Sequence, residues 1–111
     1  MLPPGAEVRY VSEPLTGGAQ AAALAGDAEV ASVFVHSRVT GEVLTALTNL
    51  RLVATRSTGF DHVDLAAARD CGVAVCNVPT YGENTVAEHT FALLLALSRN
   101  LHKAKPAPAT P

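Results

Sequence analysis

The run LRLVATRSTGFDHVD, residues 50–64, decides the fold. Its first part, LRLVAT, has the near-continuous apolar character of a strand buried on both faces. It leads into the Ala-rich HVDLAAARDC, residues 62–71, which reads as a helix. Between them stand Ser57, Thr58 and Gly59. A buried strand that empties into Ser-Thr-Gly just before a helix has two readings. One is a plain turn, with the glycine there for geometry. The other is a row of backbone N–H groups held open for an oxyanion at the mouth of a sheet, with the dipole of the following helix adding to it. On the residues alone both stand.

The same alternation extends outward in both directions. EVRYV (7–11) reads as a strand and GGAQAAALAG (17–26) as a short helix. EVASVFV (29–35) is a second buried strand, and Thr40 is placed to cap the helix GEVLTAL that follows. Asp61 is the expected cap of HVDLAAARDC, with Asp64 in its first turn and Gly72 free to take the left-handed position beyond its end. VAVCNV (73–78) is the fourth strand, stopped by Pro79. Thr85-Val-Ala-Glu88 has the spacing of a capping box and opens a helix expected over 85–103. Four strand–helix pairs in succession predict an α/β fold, a parallel sheet with flanking helices. Ligands of such sheets bind beyond the carboxyl ends of the strands, where HSRVT (36–40), RSTGFD (56–61) and NVPTYGENT (77–85) lie.

The last helix contains FALLLAL, apolar in every direction around its axis, so it is expected to be covered on more than one side. Composition agrees: 49% apolar and 16% charged over 111 residues suits a piece that another domain or partner covers. The net charge of −2 gives no nucleic-acid signature. Cys71 and Cys76 match no zinc spacing and are read as small buried side chains in a reducing compartment. With no export signal at MLPPGAEV, and an apolar run far short of the roughly 20 residues that span a bilayer, a cytoplasmic location without membrane contact is expected. KPAPATP (105–111) reads as a disordered Pro/Ala tail.

VASVFVHSRVT and LRLVATRSTGFDHVDLAAARDCGVAVCNVPTYGENTVAEHTFALLLALSRNLHKA carry a resemblance, most specific in the NVP-x-Y…VAEH segment that follows G-x-D-x-x-D. The chain resembles the N-terminal substrate-binding domain of D-isomer-specific 2-hydroxyacid dehydrogenases, the D-lactate dehydrogenase branch most closely. The resemblance implies a flavodoxin-like domain over residues 1–104 that cradles a small 2-oxo or 2-hydroxy acid for hydride exchange with NAD. It also implies that the helix 85–103 lies between domains and serves homo-oligomeric association. Carried over, the N–H groups of Thr58 and Gly59 hold the substrate carboxylate, Tyr81 closes over the substrate, and Val86 touches the cofactor. None of His36, His62, His89 and His102 matches the family's catalytic imidazole, so all four are expected to be structural or exposed, and Arg38 and Arg56 to be solvated.

Departures matter too. No G-x-G-x-x-G follows any strand, and TGGAQ (16–20) is not one. The expectation is therefore a truncated domain, with the family's first strand, its NAD domain and its His–Glu–Arg set absent, and hence an inactive piece of a dehydrogenase. The rival readings are a non-enzymatic half-domain that associates with itself or a partner, and a pseudogene product. Without that first strand, EVRYV and EVASVFV must pair directly, or one is left as an unpaired edge.

Overall fold

The computed structural model describes residues 4–104, so the expectation of a disordered tail over 105–111 lies outside the described residues. The chain divides into two compact units that meet between Pro79 and Thr80.

The first unit alternates helix and strand: α1 (Gly18–Ala25), β1 (Val30–Val33), α2 (Gly41–Ala46), β2 (Leu52–Thr55), α3 (Leu65–Asp70) and β3 (Ala74–Cys76). The strands form one parallel sheet in the order β1-β2-β3. Register pairs Val33 with Thr55 and places Ala31, Val53 and Val75 in one row. These five residues share a face, because strand side chains alternate. That face is the core side: Val33, Val53 and Thr55 are buried, and Ala31 and Val75 pack against the core. Ala21 of α1, Val43 and Leu44 of α2, Leu47 just beyond it and Ala68 of α3 join the cluster, together with Leu15, Val39, Leu50, Val63 and Val73 from the connecting segments. The opposite face is open within this unit, with Val30, Ser32, Ala74 and Cys76 exposed and Leu52 and Ala54 half-buried. The expectation of buried cysteines is thereby corrected: Cys76 points to the open face, and Cys71, at the C-cap of α3, is exposed as well.

Local chemistry explains the helix ends and corrects one cap. Val39 and Val63 form an isolated parallel bridge that keeps the chain extended through Val63, so α3 starts later than expected. Asp64, not Asp61, is its N-cap, and the Asp64 carboxylate accepts from the Ala67 N–H at 2.9 Å. At the other end Gly72 takes φ +69°, and the N–H groups of Gly72 and Val73 donate to Arg69 and Ala68. Both bonds of a Schellman motif are present, as the glycine foretold. Thr40 is the N-cap of α2 by position, without a side-chain hydrogen bond.

Residues 7–11 are not a strand. A strand exists through its ladder, and this segment pairs with none of the three. Tyr10 is 94% exposed, and the segment is held instead by the Arg9 guanidinium, which grips both Asp27 carboxylate oxygens at 2.9 Å and the Leu24 carbonyl at 3.2 Å. Among the described residues the sheet has three strands, and the outer edge of β1 is left unpaired, the second of the two expected outcomes.

In the second unit, α4 spans Glu83–Ser98 and a single 3₁₀ turn follows at Leu101–Lys103. The expected capping box does not form. Gly82 is the N-cap and Thr85 already lies inside the helix, where its N–H belongs to the first turn rather than beyond it. The helix also ends short of residue 103, because Asn100 takes φ +52° and its N–H closes back on the Leu97 carbonyl at 3.1 Å. No residue of α4 is buried: Phe91, Leu93, Leu94, Leu95 and Leu97 are between 52% and 65% exposed. Among the described residues, no helix is long and apolar enough to cross a membrane.

Candidate functional site

The turn after β2 is built from three successive peptide groups, each held by its carbonyl oxygen. The Ser57 carbonyl accepts from the Thr55 hydroxyl and from the Val78 N–H, both at 3.2 Å. The Thr58 carbonyl accepts from Asn77 Nδ2 at 2.8 Å. The Gly59 carbonyl accepts from the Ser57 hydroxyl at 2.7 Å. In a trans peptide the N–H points opposite to the C=O. Turning these three oxygens onto protein donors therefore aims the N–H groups of Thr58, Gly59 and Phe60 away from those donors. Among the described residues no acceptor engages any of the three. Successive N–H groups with no internal partner are what an oxyanion cradle requires.

Gly59 is not a geometric necessity for the chain itself. It is exposed, and its φ lies outside the left-handed region. A Cβ placed there would meet nothing nearer than Asp61 Oδ2, at 3.7 Å. The space that a side chain at Gly59 would take is open.

The helix dipole does not contribute as expected. Because α3 begins at Leu65 and Asp64 caps it, the cradle is made by the loop alone. The loop is pinned to the neighbouring HSRVT loop by the Val39 N–H on the His62 carbonyl (2.8 Å) and the Asp64 N–H on the Val39 carbonyl (2.9 Å). A cleft of about 160 Å³ lies between them, walled by Arg38, Thr40, Asp61, His62 and Asp64. That is below the roughly 300–1,000 Å³ of enclosed ligand pockets, so the loops offer one wall of a site. A larger concavity, about 400 Å³, separates residues 9–13 from α1. The N–H groups of residues 9–13 are also without acceptors among the described residues, but no carbonyl there is bonded to a protein donor that would fix its peptide plane.

Thr58 and Gly59 thus stand together in the first unit. Tyr81 and Val86 belong to the second, immediately before the Gly82 N-cap and on the first turns of α4, and each is about two-thirds exposed (68% and 69%). These are the N′ and N4 positions, the pair that a hydrophobic staple joins. Arg56 is exposed, yet not merely solvated: its guanidinium lies over the Phe34 ring, 5.5 Å from the centroid, and Phe34 meets His36 edge-on at 6.1 Å. Arg38, His36, His89 and His102 are exposed. His62 is half-buried, and its Nε2 is enclosed without a partner among the described residues. Asn77 was not singled out by sequence, and Ser57 was named only as part of the turn, not as a donor within it. The signal available for Asn77 was a polar side chain directly after an apolar strand.

Known proteins resemble this chain. The family described as D-isomer specific 2-hydroxyacid dehydrogenase, catalytic domain, matches residues 4–104. A 2-hydroxyacid dehydrogenase homolog of Schizosaccharomyces pombe is 45% identical over 85 residues, 75% of this chain and 26% of that protein. Solved structures similar to this chain include two D-lactate dehydrogenases. One is apo D-lactate dehydrogenase from Escherichia coli, with TM-score 0.71, 33% identity, and coverage of 89% of this chain and 32% of that one. The other is D-lactate dehydrogenase from Aquifex aeolicus complexed with NAD and lactic acid, with TM-score 0.62, 36% identity, and coverage of 77% and 28%. The chain spans about a quarter of the length of the Schizosaccharomyces relative (26%).

Proposed function

Because the chain belongs to the D-isomer specific 2-hydroxyacid dehydrogenase family, we propose that its Ser-Thr-Gly turn holds the carboxylate of a small 2-hydroxy or 2-oxo acid through the Thr58 and Gly59 N–H groups. The observation that carries this reading is the set of three peptide carbonyls bonded to protein donors, which leaves the N–H groups without acceptors among the described residues. Hydrogen bonds to a charged group contribute about 1.5–3 kcal/mol each. Two of them together contribute about 3–6 kcal/mol, a scale that suits a ligand no tighter than about millimolar, about −4 kcal/mol. The D-lactate-like branch is the narrower reading, supported by the two lactate dehydrogenase structures.

In such a dehydrogenase, hydride passes between the cofactor and the carbon bearing the oxygen, while a proton moves on or off that oxygen. The turn would orient the acid for that exchange. It binds the carboxylate alike in ground and transition states, so it supplies position rather than barrier lowering. The described residues do not themselves fit a dinucleotide, since no Gly-rich strand-to-helix turn offers a pyrophosphate cradle and the cleft beside the turn holds about 160 Å³. Val86 offers only an apolar contact, and Tyr81 a phenol able to cover the acid. Taken alone, these 111 residues would therefore not consume NADH with pyruvate. Protein-dependent NADH loss that survives repurification would overturn that statement.

The binding test is an amide-resolved NMR titration with pyruvate and oxamate. Shifts confined to residues 57–62 that persist in Thr58→Ser and vanish in Gly59→Val support the cradle. A response untouched by Gly59→Val would mean the turn is only a turn. A second reading is favoured by α4, whose large apolar residues are all more than half exposed: association of copies, or with a partner, through this helix.

A further inference from the structure

The three carbonyl anchors of the turn are unequal. The plane between Ser57 and Thr58 is held twice, by the Thr55 hydroxyl and the Val78 N–H. The plane between Gly59 and Phe60 is held locally, by the hydroxyl of Ser57, itself 4% exposed. The plane between Thr58 and Gly59 has a single anchor, Asn77 Nδ2, from nineteen residues further along the chain. It is also the plane most prone to turn over. Reversing a peptide group changes ψ of the residue before it and φ of the residue after it, and the residue after it is glycine, which accepts either sign of φ. A reversed plane would point the Thr58 carbonyl where the Gly59 N–H now points and would repel an anion. With the carbonyl as acceptor, only the Nδ2 side of the Asn77 amide makes this bond, so its orientation is fixed by chemistry.

We infer that Asn77 is a positioning residue. Its amide latches the Thr58–Gly59 peptide with the N–H outward and thereby sets the affinity of the turn for a carboxylate. This rests on the carboxylate reading above. The latch works in both directions, because an anion on the Gly59 N–H polarises the same peptide and strengthens the bond from Asn77 to its oxygen. Occupancy of the turn is thereby linked to the order of residues 77–78, which lead from β3 toward the second unit.

The experiment uses the full 111-residue chain, isotope-labelled, with oxamate as the probe. In the free wild type, a scalar coupling across the hydrogen bond from Asn77 Nδ2 to the Thr58 carbonyl carbon is expected, together with a well-defined Gly59 N–H dipolar coupling. Asn77→Ala should weaken oxamate about five- to tenfold, the worth of one hydrogen bond, and should average the Gly59 coupling while leaving those of β1, β2 and α2 unchanged. Asn77→Asp, of the same size, should bind as weakly as Asn77→Ala near neutral pH. It should regain affinity as its carboxyl protonates, near or somewhat above the ordinary value of about 3.9, because the acid O–H donates to the carbonyl and the carboxylate does not. A residue that only packs would show no such pH profile. Unchanged affinity and an unchanged Gly59 orientation in Asn77→Ala would overturn the latch while leaving the cradle in place. A wild type whose amides ignore oxamate would overturn the carboxylate reading, and the latch with it.

Discussion

Replacing Gly59 by alanine should separate the needs of the fold from those of the site. In a turn that exists only for geometry, the glycine serves the chain. Here φ at Gly59 is not left-handed, and the new methyl would meet nothing closer than Asp61 Oδ2 at 3.7 Å, an ordinary contact. Gly59→Ala therefore brings neither strain nor overlap. It also narrows the unfolded ensemble, which alone stabilises by about 0.4–1 kcal/mol. For a domain of this size that corresponds to a rise in melting temperature of a few degrees, about 4–8 °C per kcal/mol. The same methyl narrows the approach of a ligand whose carboxylate oxygen must come within about 2.7–2.9 Å of the Gly59 N–H to bond. Losing one of two charge-assisted bonds should lower oxamate affinity about tenfold or more. Thermal melting and an NMR titration on the same sample measure both. A variant that melts lower by more than about 1 kcal/mol would show that the glycine serves the chain. A variant that binds as the wild type does would show that nothing approaches it.

Three further outcomes are expected. The Asp61 carboxylate faces Gly59, and at a separation of about 6 Å in near-aqueous dielectric two unit charges repel by about 0.7 kcal/mol. Asp61→Asn should thus tighten oxamate about threefold, an effect that shrinks with added salt; no change would place the anion elsewhere. On α4, each leucine left in water forgoes part of the roughly 1.5–3 kcal/mol that burial supplies. Sedimentation velocity should show concentration-dependent association that Leu93→Glu with Leu97→Glu reduces, and a cooperatively folding wild-type monomer would refute it. Arg9 hydrogen-bonds the Asp27 carboxylate and holds it below its usual range, while Arg9 itself is raised. A depressed folded pKa adds stability above the unfolded value that is lost as pH falls through the folded one. The Asp27 side-chain carbon should titrate below about 3.9, and Arg9→Met should raise it toward that value, leaving the smaller effect of the backbone hydrogen bond on the same carboxylate.

The fold was legible wherever one segment suffices to specify its own structure. Gly72 foretold a left-handed exit because few other residues take that conformation, and the Schellman bonds follow from it. The parallel order followed from alternation alone. Residues 7–11 misled because strand composition is necessary for a strand and not sufficient: Val8, Tyr10 and Val11 are apolar enough, but a ladder needs a partner. Asp61 misled for a related reason. The bridge between Val39 and Val63 joins two loops, and that contact carried the helix start to Asp64. The T-x-x-E pattern at Thr85 was overridden locally by Gly82, which opened α4 before the box was reached.

The site was legible by halves, and the division is physical. Ser57, Thr58 and Gly59 announced a turn in which backbone is exposed, because small residues there leave room for nothing else to be recognised. What distinguishes a cradle from a turn is the direction of the peptide planes, and direction is set from outside the segment. Val78 and Asn77 come from the end of β3, brought alongside by the pairing of β2 with β3 that puts Ala54 opposite Cys76. One residue beyond that pair, Asn77 reaches the loop that one more residue of β2 has opened. The parallel register therefore does two things at once: it stacks Val53 and Val75 into the core, and it delivers an amide to the carbonyl whose orientation decides whether an anion is attracted or repelled.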